Sequence, residues 1–278
     1  MDAGNSPQVT GSQPSFGLPF GLPKRRPGEP EHYRLASTPR SKATRCENRA
    51  TPSLVHFWFR TRYISALSSR IFPRHPHVLA LEIRPSRAVV FIKTFTGFLP
   101  VLFQSWVQAI LPEWFLPDHV VLKQQKQGEV EKEIAEELFD AEADAYHRLK
   151  PLQGVVIPTC YGRVSYNGTR ALVLERIGGV SMFSPEGATL RLEELSALFQ
   201  PCYQALTAMA ACHGDPNLAN FQLVDGRIMA LDLDNVEFGL PADKREHFTK
   251  TNIWDLAYRY RTVQAHFWHE GSLEEVEE

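Results

Sequence analysis

The chain has 278 residues, of which 43% are hydrophobic and 22% are charged, and its formal net charge is −2. This composition provides enough apolar side chains for a buried core and excludes a wholly disordered protein. Residues 1–75 carry 12 Lys and Arg against 4 Asp and Glu, whereas the remainder carries 18 against 28, so the acidic body is not expected to bind nucleic acid.

The four cysteines are far apart and form no C-x-x-C pair, which excludes a zinc signature and a disulfide framework. A reducing compartment, cytoplasmic or nuclear, is therefore expected. Residues 1–50 are rich in Pro, Gly and Ser and predict a disordered, basic leader, whose deletion should leave the unfolding transition unchanged. Residues 51–77 are aromatic and basic, and their structure is uncertain, with a short helix as one option.

From residue 78 the chain turns to β-branched and aromatic runs bounded by Pro and Gly, which predict strands of an antiparallel sheet. These runs are VLALEI (78–83), VVFIKTF (89–95), LPVLFQSWV (99–107) and HVVLKQQ (119–125). Residues 94–112 carry no charge over 19 residues, but prolines and glutamines interrupt them. A membrane span is therefore not expected, and a membrane-associated protein is a minor alternative.

Further along the chain, apolar residues at helical spacing predict helices, and a hairpin lies between the first two of them. The helical segments are 129–149, 192–209 with a kink or break at Pro201, and 251–268. The hairpin joins GVVIPTCYGRV (154–164) to TRALVLERI (169–177) through an Asn-Gly turn. The first part of the chain is predicted to form strands and one helix, and the later part mostly helices. This order indicates an α+β protein of two lobes.

The sharpest chemical feature is His213-Gly214-Asp215, followed by Asn220 and, twelve residues later, by Asp232. Between them Asp225-Gly226 forms a tight turn, so the flanking segments FQLV and RIMAL are expected to pair as a hairpin. A hairpin brings its two ends together, so Asn220 and Asp232 should converge beside the loop that carries Asp215. Three oxygen-bearing side chains at one point suit a hard cation and a nearby hydroxyl to be deprotonated.

A lysine and a glutamate complete this set. In HVVLKQQ, a period of two places Lys123 with Val121 on one face of the strand. Glu142 lies on the apolar stripe of the following helix, where a carboxylate must find a partner or lower the stability of the helix. Lys123 is expected to be that partner and to bind phosphate oxygens.

These residues resemble the protein-kinase-like superfamily, with VLK, a helical Glu, HGDxxxxN and an acidic run in place of the metal-binding D-F-G. The HGD is more similar to that of aminoglycoside- and choline-type phosphotransferases. FDAEADAYHRLKPLQGVVIPTCYG and ALVLERIGG resemble compact fungal kinase-like proteins. The resemblance covers residues 87–260. It implies an ATP-dependent, Mg²⁺-requiring phosphotransferase acting on a hydroxyl, and leaves open whether a protein or a small molecule carries that hydroxyl.

The resemblance also assigns roles to individual residues. It implies that Lys123 contacts the α- and β-phosphates and pairs with Glu142, and that Asp215 is the catalytic base. The expected Mg²⁺ ligands are Asn220 and Asp232, with Asp234 as the alternative to Asp232. For the nucleotide, Glu175 opens the hinge that faces adenine, and Gly97 lies in the segment that matches the phosphate lid.

The implied fold is α+β and bilobal. An antiparallel N-lobe sheet with one helix is expected over 78–178, and a short, mainly helical C-lobe over 179–278. The chain departs from the family pattern in three ways: it has no G-x-G-x-x-G, Asn217 stands where protein kinases usually have Lys, and no A-P-E follows. These departures favour the alternative of a pseudokinase, a binding or scaffold module with weak or no catalysis.

Overall fold

The computed structural model describes residues 21–37, 52–71, 75–128 and 131–276, and over these ranges the chain is an α+β protein. The strands are β1 Tyr33–Leu35, β2 Ser53–Phe59, β3 Arg62–Arg70, β4 Val78–Ile83, β5 His119–Gln124, β6 Cys160–Tyr166, β7 Thr169–Glu175, β8 Val180–Ser181, β9 Ala211–His213, β10 Phe221–Val224, β11 Arg227–Ala230, β12 Val236–Phe238 and β13 Leu273–Glu275. The helices are α1 Arg87–Gly97, α2 Val101–Ile110, α3 Lys132–Arg148, α4 Leu192–Ala208 and α5 Ala242–His269.

The largest sheet is antiparallel and has the strand order β2-β3-β4-β5-β7-β6. It curls, so that its two edge strands approach each other: the Phe57 ring on β2 packs edge-on against the Tyr166 ring on β6, with centroids 6.3 Å apart. Alternate side chains point into the curl, as the twofold period of a strand requires. Val120 and Leu122 of β5 are fully buried there, in one apolar cluster with Phe57.

A second apolar core joins α3, α4 and α5 to the hairpin of β10 and β11. Helix α3 contributes Phe139, Ala143 and Tyr146, which lie on one face because positions three and four apart are neighbours on a helix. Phe199 of α4 packs edge-on against Phe221 of β10, with ring centroids 5.0 Å apart. Besides the large sheet, β8 adds to the β10–β11 hairpin, β9 pairs with β12, and β1 pairs with β13.

Most predicted elements are confirmed, including β4, β5, α3, the β6–β7 hairpin, α4 and the β10–β11 hairpin. Pro201 lies inside α4 and does not end it, and α5 begins nine residues before the predicted start. Strands β2 and β3 occupy much of residues 51–77, so the option of a short helix there is wrong.

The strands predicted at 89–95 and 99–107 are wrong, because these segments form helices α1 and α2. A continuous apolar run has no period that separates a buried strand from a helix. The local signals favour a helix: the Ser86 hydroxyl accepts a hydrogen bond from the Val89 amide, and Pro100 immediately precedes the first turn of α2. Among the described residues no helix is long and apolar enough to cross a membrane.

The predicted disorder of residues 1–50 is wrong for residues 21–37. Strand β1 pairs with β13, and Tyr33 is buried in the second core. Arg261 of α5 also contacts Glu29, with 3.0 Å between Nη2 and Oε2. The partners of this segment are more than 200 residues away in sequence, so local composition does not reveal them. Residues 1–20 and 38–50 of the predicted leader lie outside the described residues.

Candidate functional site

Strand β5 and helix α3 bring together the lysine and the glutamate that the sequence singles out. Lys123 is the second-last residue of strand β5, and its Nζ is 2.6 Å from Oε1 of Glu142. Glu142 is only 3% exposed. The side chains of Val120 and Leu122 point the other way, into the curled sheet, which directs Lys123 towards α3. The predicted pairing of Lys123 with Glu142 is confirmed.

The hairpin of β10 and β11 delivers the acidic run to the same lysine. Phe221 pairs with Ala230 at the open end of the hairpin, and the amide of the next residue, Leu231, donates to the Asn220 carbonyl over 2.7 Å. Asp232 follows, with a left-handed backbone (φ 54°), and its Oδ1 lies 2.5 Å from the Lys123 Nζ. The ammonium of Lys123 therefore lies between two carboxylates that come from different elements.

Asp215 and Asn220 form the neighbouring part of the site. Nδ2 of Asn220 donates to Oδ2 of Asp215 over 2.8 Å, so the amide fixes the position of the carboxylate. This bond uses the donor end of the amide and leaves Asn220 Oδ1 available as an oxygen ligand. The predicted convergence of Asn220 with the loop of Asp215 is confirmed.

The loop that carries Asp215 is held by contacts that the sequence analysis missed. The Gly214 amide donates to the Asn235 carbonyl over 2.8 Å, and Nε2 of His213 donates to the Leu231 carbonyl over 3.0 Å. From α5, Nδ2 of the buried Asn252 donates to the His213 carbonyl over 2.8 Å. These bonds join β9, the acidic run and α5, and no local pattern identifies Asn235 as a partner of the loop.

Burial and charge act in opposite directions on this cluster. Burial alone would lower the pKa of Lys123, but the carboxylates of Glu142 and Asp232 outweigh it and raise that pKa above its usual value. Burial alone would raise the pKa of Asp232, but Lys123 outweighs it and lowers that pKa. Burial raises the pKa of Glu142, and the ammonium of Lys123 offsets this only in part. The cluster therefore favours a charged Lys123 and an ionised Asp232.

The two aspartates of the acidic run have different partners. Asp232 contacts Lys123, whereas Oδ2 of Asp234 is 3.3 Å from Nζ of Lys126. Burial lowers the pKa of His77, and the positive charges of Lys123 and Lys126 lower it further, so His77 faces the same cluster. The amide of Gln124 donates to the His77 carbonyl over 2.8 Å. The end of the β3–β4 connection therefore lies beside Lys123.

Gly97 does not lie in the segment beside Lys123, where a phosphate-binding glycine was expected. It is the last residue of α1, and a Cβ built on it would meet nothing within 4 Å. The expected phosphate lid at Gly97 depended on two strands that are in fact helices, so the reason for expecting a lid there is lost. The segment that ends at His77 and enters β4 lies beside Lys123 instead. Glu175 ends β7 as expected, and its Oε2 accepts hydrogen bonds from the amide (2.9 Å) and hydroxyl (2.7 Å) of Thr159.

The donor set fits a nucleotide-bound Mg²⁺ better than a free ion. In the part of the chain that the structure describes, no group of three or more His, Cys, Asp or Glu side chains is placed to hold a metal ion. Mg²⁺ is usually held by one or two carboxylates together with substrate phosphates and waters. Asp232 and the free Oδ1 of Asn220 suit that arrangement, with the phosphates supplying the remaining oxygens.

Two comparisons bear on the identity of the chain. No protein-family model matches the chain, and no curated protein matches it in sequence. What the site does is therefore inferred from its own side chains.

Proposed function

We propose that this chain is an ATP-dependent phosphotransferase with a bilobal, protein-kinase-like fold, which transfers a phosphoryl group to a hydroxyl. One observation carries the proposal: Lys123 lies 2.6 Å from Glu142 and 2.5 Å from Asp232, beside the Asn220–Asp215 pair. Phosphoryl transfer needs a cation for the phosphates, oxygen ligands for a metal and a base for the acceptor, all in one place. These five side chains supply all three.

Each side chain has a role in this proposal. Lys123 binds phosphate oxygens, and Glu142 positions its ammonium. Asp215, held by Asn220, accepts the proton of the acceptor hydroxyl and orients it. Asn220 and Asp232 would hold Mg²⁺, which would neutralise charge on the phosphates of a bound nucleotide. The segment that follows Glu175 would contact the adenine base.

The arrangement of elements supports the bilobal fold. In this proposal the curled sheet and α3 form the N-lobe, over 78–178, with β2 and β3 added before it. The small sheets with α4 and α5 form the C-lobe, over 179–278. We propose a cytoplasmic or nuclear location for this activity, as the cysteine spacing suggests.

The second candidate is a pseudokinase that binds partners and does not catalyse transfer. Two observations favour it. The residues that lead into β4 beside Lys123 are His75, Pro76 and His77, with no glycine to bring backbone amides close to phosphate. In addition, the ammonium of Lys123 is already engaged by Asp232, a contact that has to open for a metal-bound nucleotide.

The test compares ATP binding and ATP turnover in the wild type, Asp215→Asn and Asp232→Asn. Asp232→Asn removes a full negative charge from the metal ligands, so it should abolish Mg²⁺-dependent binding of ATP. Asp215→Asn should leave binding intact, because this carboxylate contacts the acceptor, and should lower turnover by about 10²–10⁴-fold. The matched control is Asp225→Asn in the exposed turn, where the left-handed backbone (φ 48°) suits asparagine.

The outcomes separate the two candidates. Turnover that depends on both aspartates supports the phosphotransferase. ATP binding by the wild type without turnover, against a wide panel of hydroxyl acceptors, supports the pseudokinase. A wild type that binds no nucleotide with Mg²⁺ overturns the proposed site. Binding that survives Asp232→Asn moves the metal ligand to Asp234, the next residue to replace.

A further inference from the structure

Helices α1 and α2 form a hairpin that projects many large apolar side chains away from both cores. We call residues 87–110 the apolar hairpin. Phe91, Phe95, Phe98, Leu102, Phe103 and Trp106 are each more than half exposed. The exposure is greatest at the tip, where Phe98 is 84% and Leu102 is 85% exposed. Monomeric proteins in water rarely present so large a continuous apolar surface, so something covers it.

Three polar side chains of the hairpin donate hydrogen bonds to backbone carbonyls within the hairpin itself. The Thr96 hydroxyl donates to the Ile92 carbonyl over 2.7 Å, and the Ser105 hydroxyl donates to the Val101 carbonyl over 2.9 Å. The Gln104 amide donates to the Leu99 carbonyl in the tip over 2.7 Å. A surrounding medium that offers no hydrogen bonds requires this internal pairing, whereas water does not.

The charged side chains of the hairpin and of the residues next to it in sequence are all basic. No Asp or Glu occurs between Glu82 and Glu113. Glu113 is 1% exposed, and its carboxylate accepts a hydrogen bond from the Thr61 hydroxyl over 2.6 Å. At the base of α1, Arg84 and Arg87 are exposed. An apolar tip above a basic base is complementary to a surface with an apolar interior and anionic groups at its edge.

We propose that the apolar hairpin docks on an anionic phospholipid membrane, with its tip in one leaflet and Arg84 and Arg87 among the headgroups. Helix α1 has 11 residues and is about 16 Å long at 1.5 Å per residue. The hydrocarbon core is about 30 Å thick, so the hairpin enters one leaflet and does not cross. This docking does not depend on the chemistry at Lys123.

The test is co-sedimentation of the full chain with vesicles of phosphatidylcholine alone and of phosphatidylcholine mixed with phosphatidylserine. The wild type should bind the mixed vesicles more strongly, and added salt should weaken that preference. Phe98→Asp with Leu102→Asp should lower the partition coefficient about a hundredfold or more, since burial of each large apolar side chain is worth roughly tenfold or more. Leu54→Asp, on the exposed face of β2, is the control and should bind like the wild type.

A second pair of variants tests the charge. Arg84→Gln with Arg87→Gln should remove most of the preference for the mixed vesicles and keep the weaker binding to phosphatidylcholine. Either of two results overturns the proposal. One is a wild type that sediments with neither vesicle. The other is a dimer in the absence of lipid that the Phe98 and Leu102 double variant converts to a monomer, because the face then belongs to a second copy of the chain.

Discussion

At the scale of single residues, the stability of the site depends on one positive charge between two negative ones. Removing charged groups from water costs several kcal/mol per ion, and mutual attraction compensates for this only when the geometry is good. Lys123 makes contacts of 2.6 and 2.5 Å with Glu142 and Asp232, so both carboxylates rely on the same ammonium. The consequences of removing the lysine and of removing one acid are therefore unequal.

Lys123→Met should destabilise the protein more than Glu142→Gln. Loss of the ammonium leaves the buried Glu142 facing Asp232 without a cation, at a cost of about 3–5 kcal/mol. Glu142→Gln leaves Lys123 paired with Asp232, so it should cost less. The double variant should be more stable than Lys123→Met alone, since Gln has no charge to desolvate, with a coupling free energy of about 0.5–3 kcal/mol. Urea unfolding at pH 7 measures all three.

The matched control for the lysine is Lys132→Met at the start of α3. Lys132 is 83% exposed and pairs with Glu136 at 3.8 Å, so its removal should change the free energy of unfolding by less than about 1 kcal/mol. Additive effects of the two site substitutions would mean that Lys123 and Glu142 do not share one interaction.

At the scale of elements, the close approach of β9 and β12 explains the glycine in His213-Gly214-Asp215. A Cβ on Gly214 would lie 2.6 Å from the Asn235 carbonyl oxygen, closer than real Cβ atoms come to backbone. That carbonyl also accepts the Gly214 amide, so the loop and the acidic run are in contact at this point. A larger residue at position 214 would separate the strand that leads to Asp215 from the strand that follows Asp232.

Gly214→Ala should therefore destabilise the protein, by about 1–3 kcal/mol as for other overpacked positions. Gly97→Ala is the matched control: Gly97 ends a helix with open space around it, so alanine should be neutral or stabilising by up to about 1 kcal/mol. Thermal unfolding of both variants checks this, and an equal effect of the two would show that the contact with Asn235 is not what selects glycine. Gly97→Ala should also leave ATP binding unchanged, as its position away from Lys123 requires.

The elements that could be predicted from the sequence are those whose signals are local. The Asp225-Gly226 turn identifies the β10–β11 hairpin, and helical spacing places Glu142 on the inner face of α3. Helices α1 and α2 could not be predicted, because a continuous apolar run has no period that separates a helix from a buried strand. Strand β1 was missed because its partner, β13, lies at the other end of the chain. The position of His77 beside Lys123 could not be predicted for a similar reason, since only the folded chain brings the two residues together.

At the scale of the whole molecule, residues 21–37 hold the two ends of the described chain together. Tyr33 is buried among side chains of the second core, and the Trp254 indole donates to the Gly21 carbonyl over 3.1 Å. Burial alone would raise the pKa of Glu29, but the Arg26 amide and the Arg261 guanidinium lower it. A lowered pKa in the folded state means that this contribution to stability is present above the ordinary Glu value of about 4.3 and is lost as the pH falls further.

Two truncations separate the predicted leader from this ordered segment. Removal of residues 1–20, which lie outside the described residues, should leave the unfolding transition unchanged, because their Pro- and Gly-rich sequence buries little apolar surface. Removal of residues 1–37 should lower the free energy of unfolding by at least about 1.5–3 kcal/mol, the value for burying one large apolar side chain such as that of Tyr33. It also removes the partner of β13 and of Arg261. The difference between the two truncations should therefore shrink as the pH falls below the ordinary Glu value of about 4.3 towards the lower pKa that Glu29 has in the folded protein. Urea unfolding of both at pH 7 and in mild acid provides the measurement. Equal stability of the two at pH 7 would mean that β1 does not hold the C-terminal helix in place.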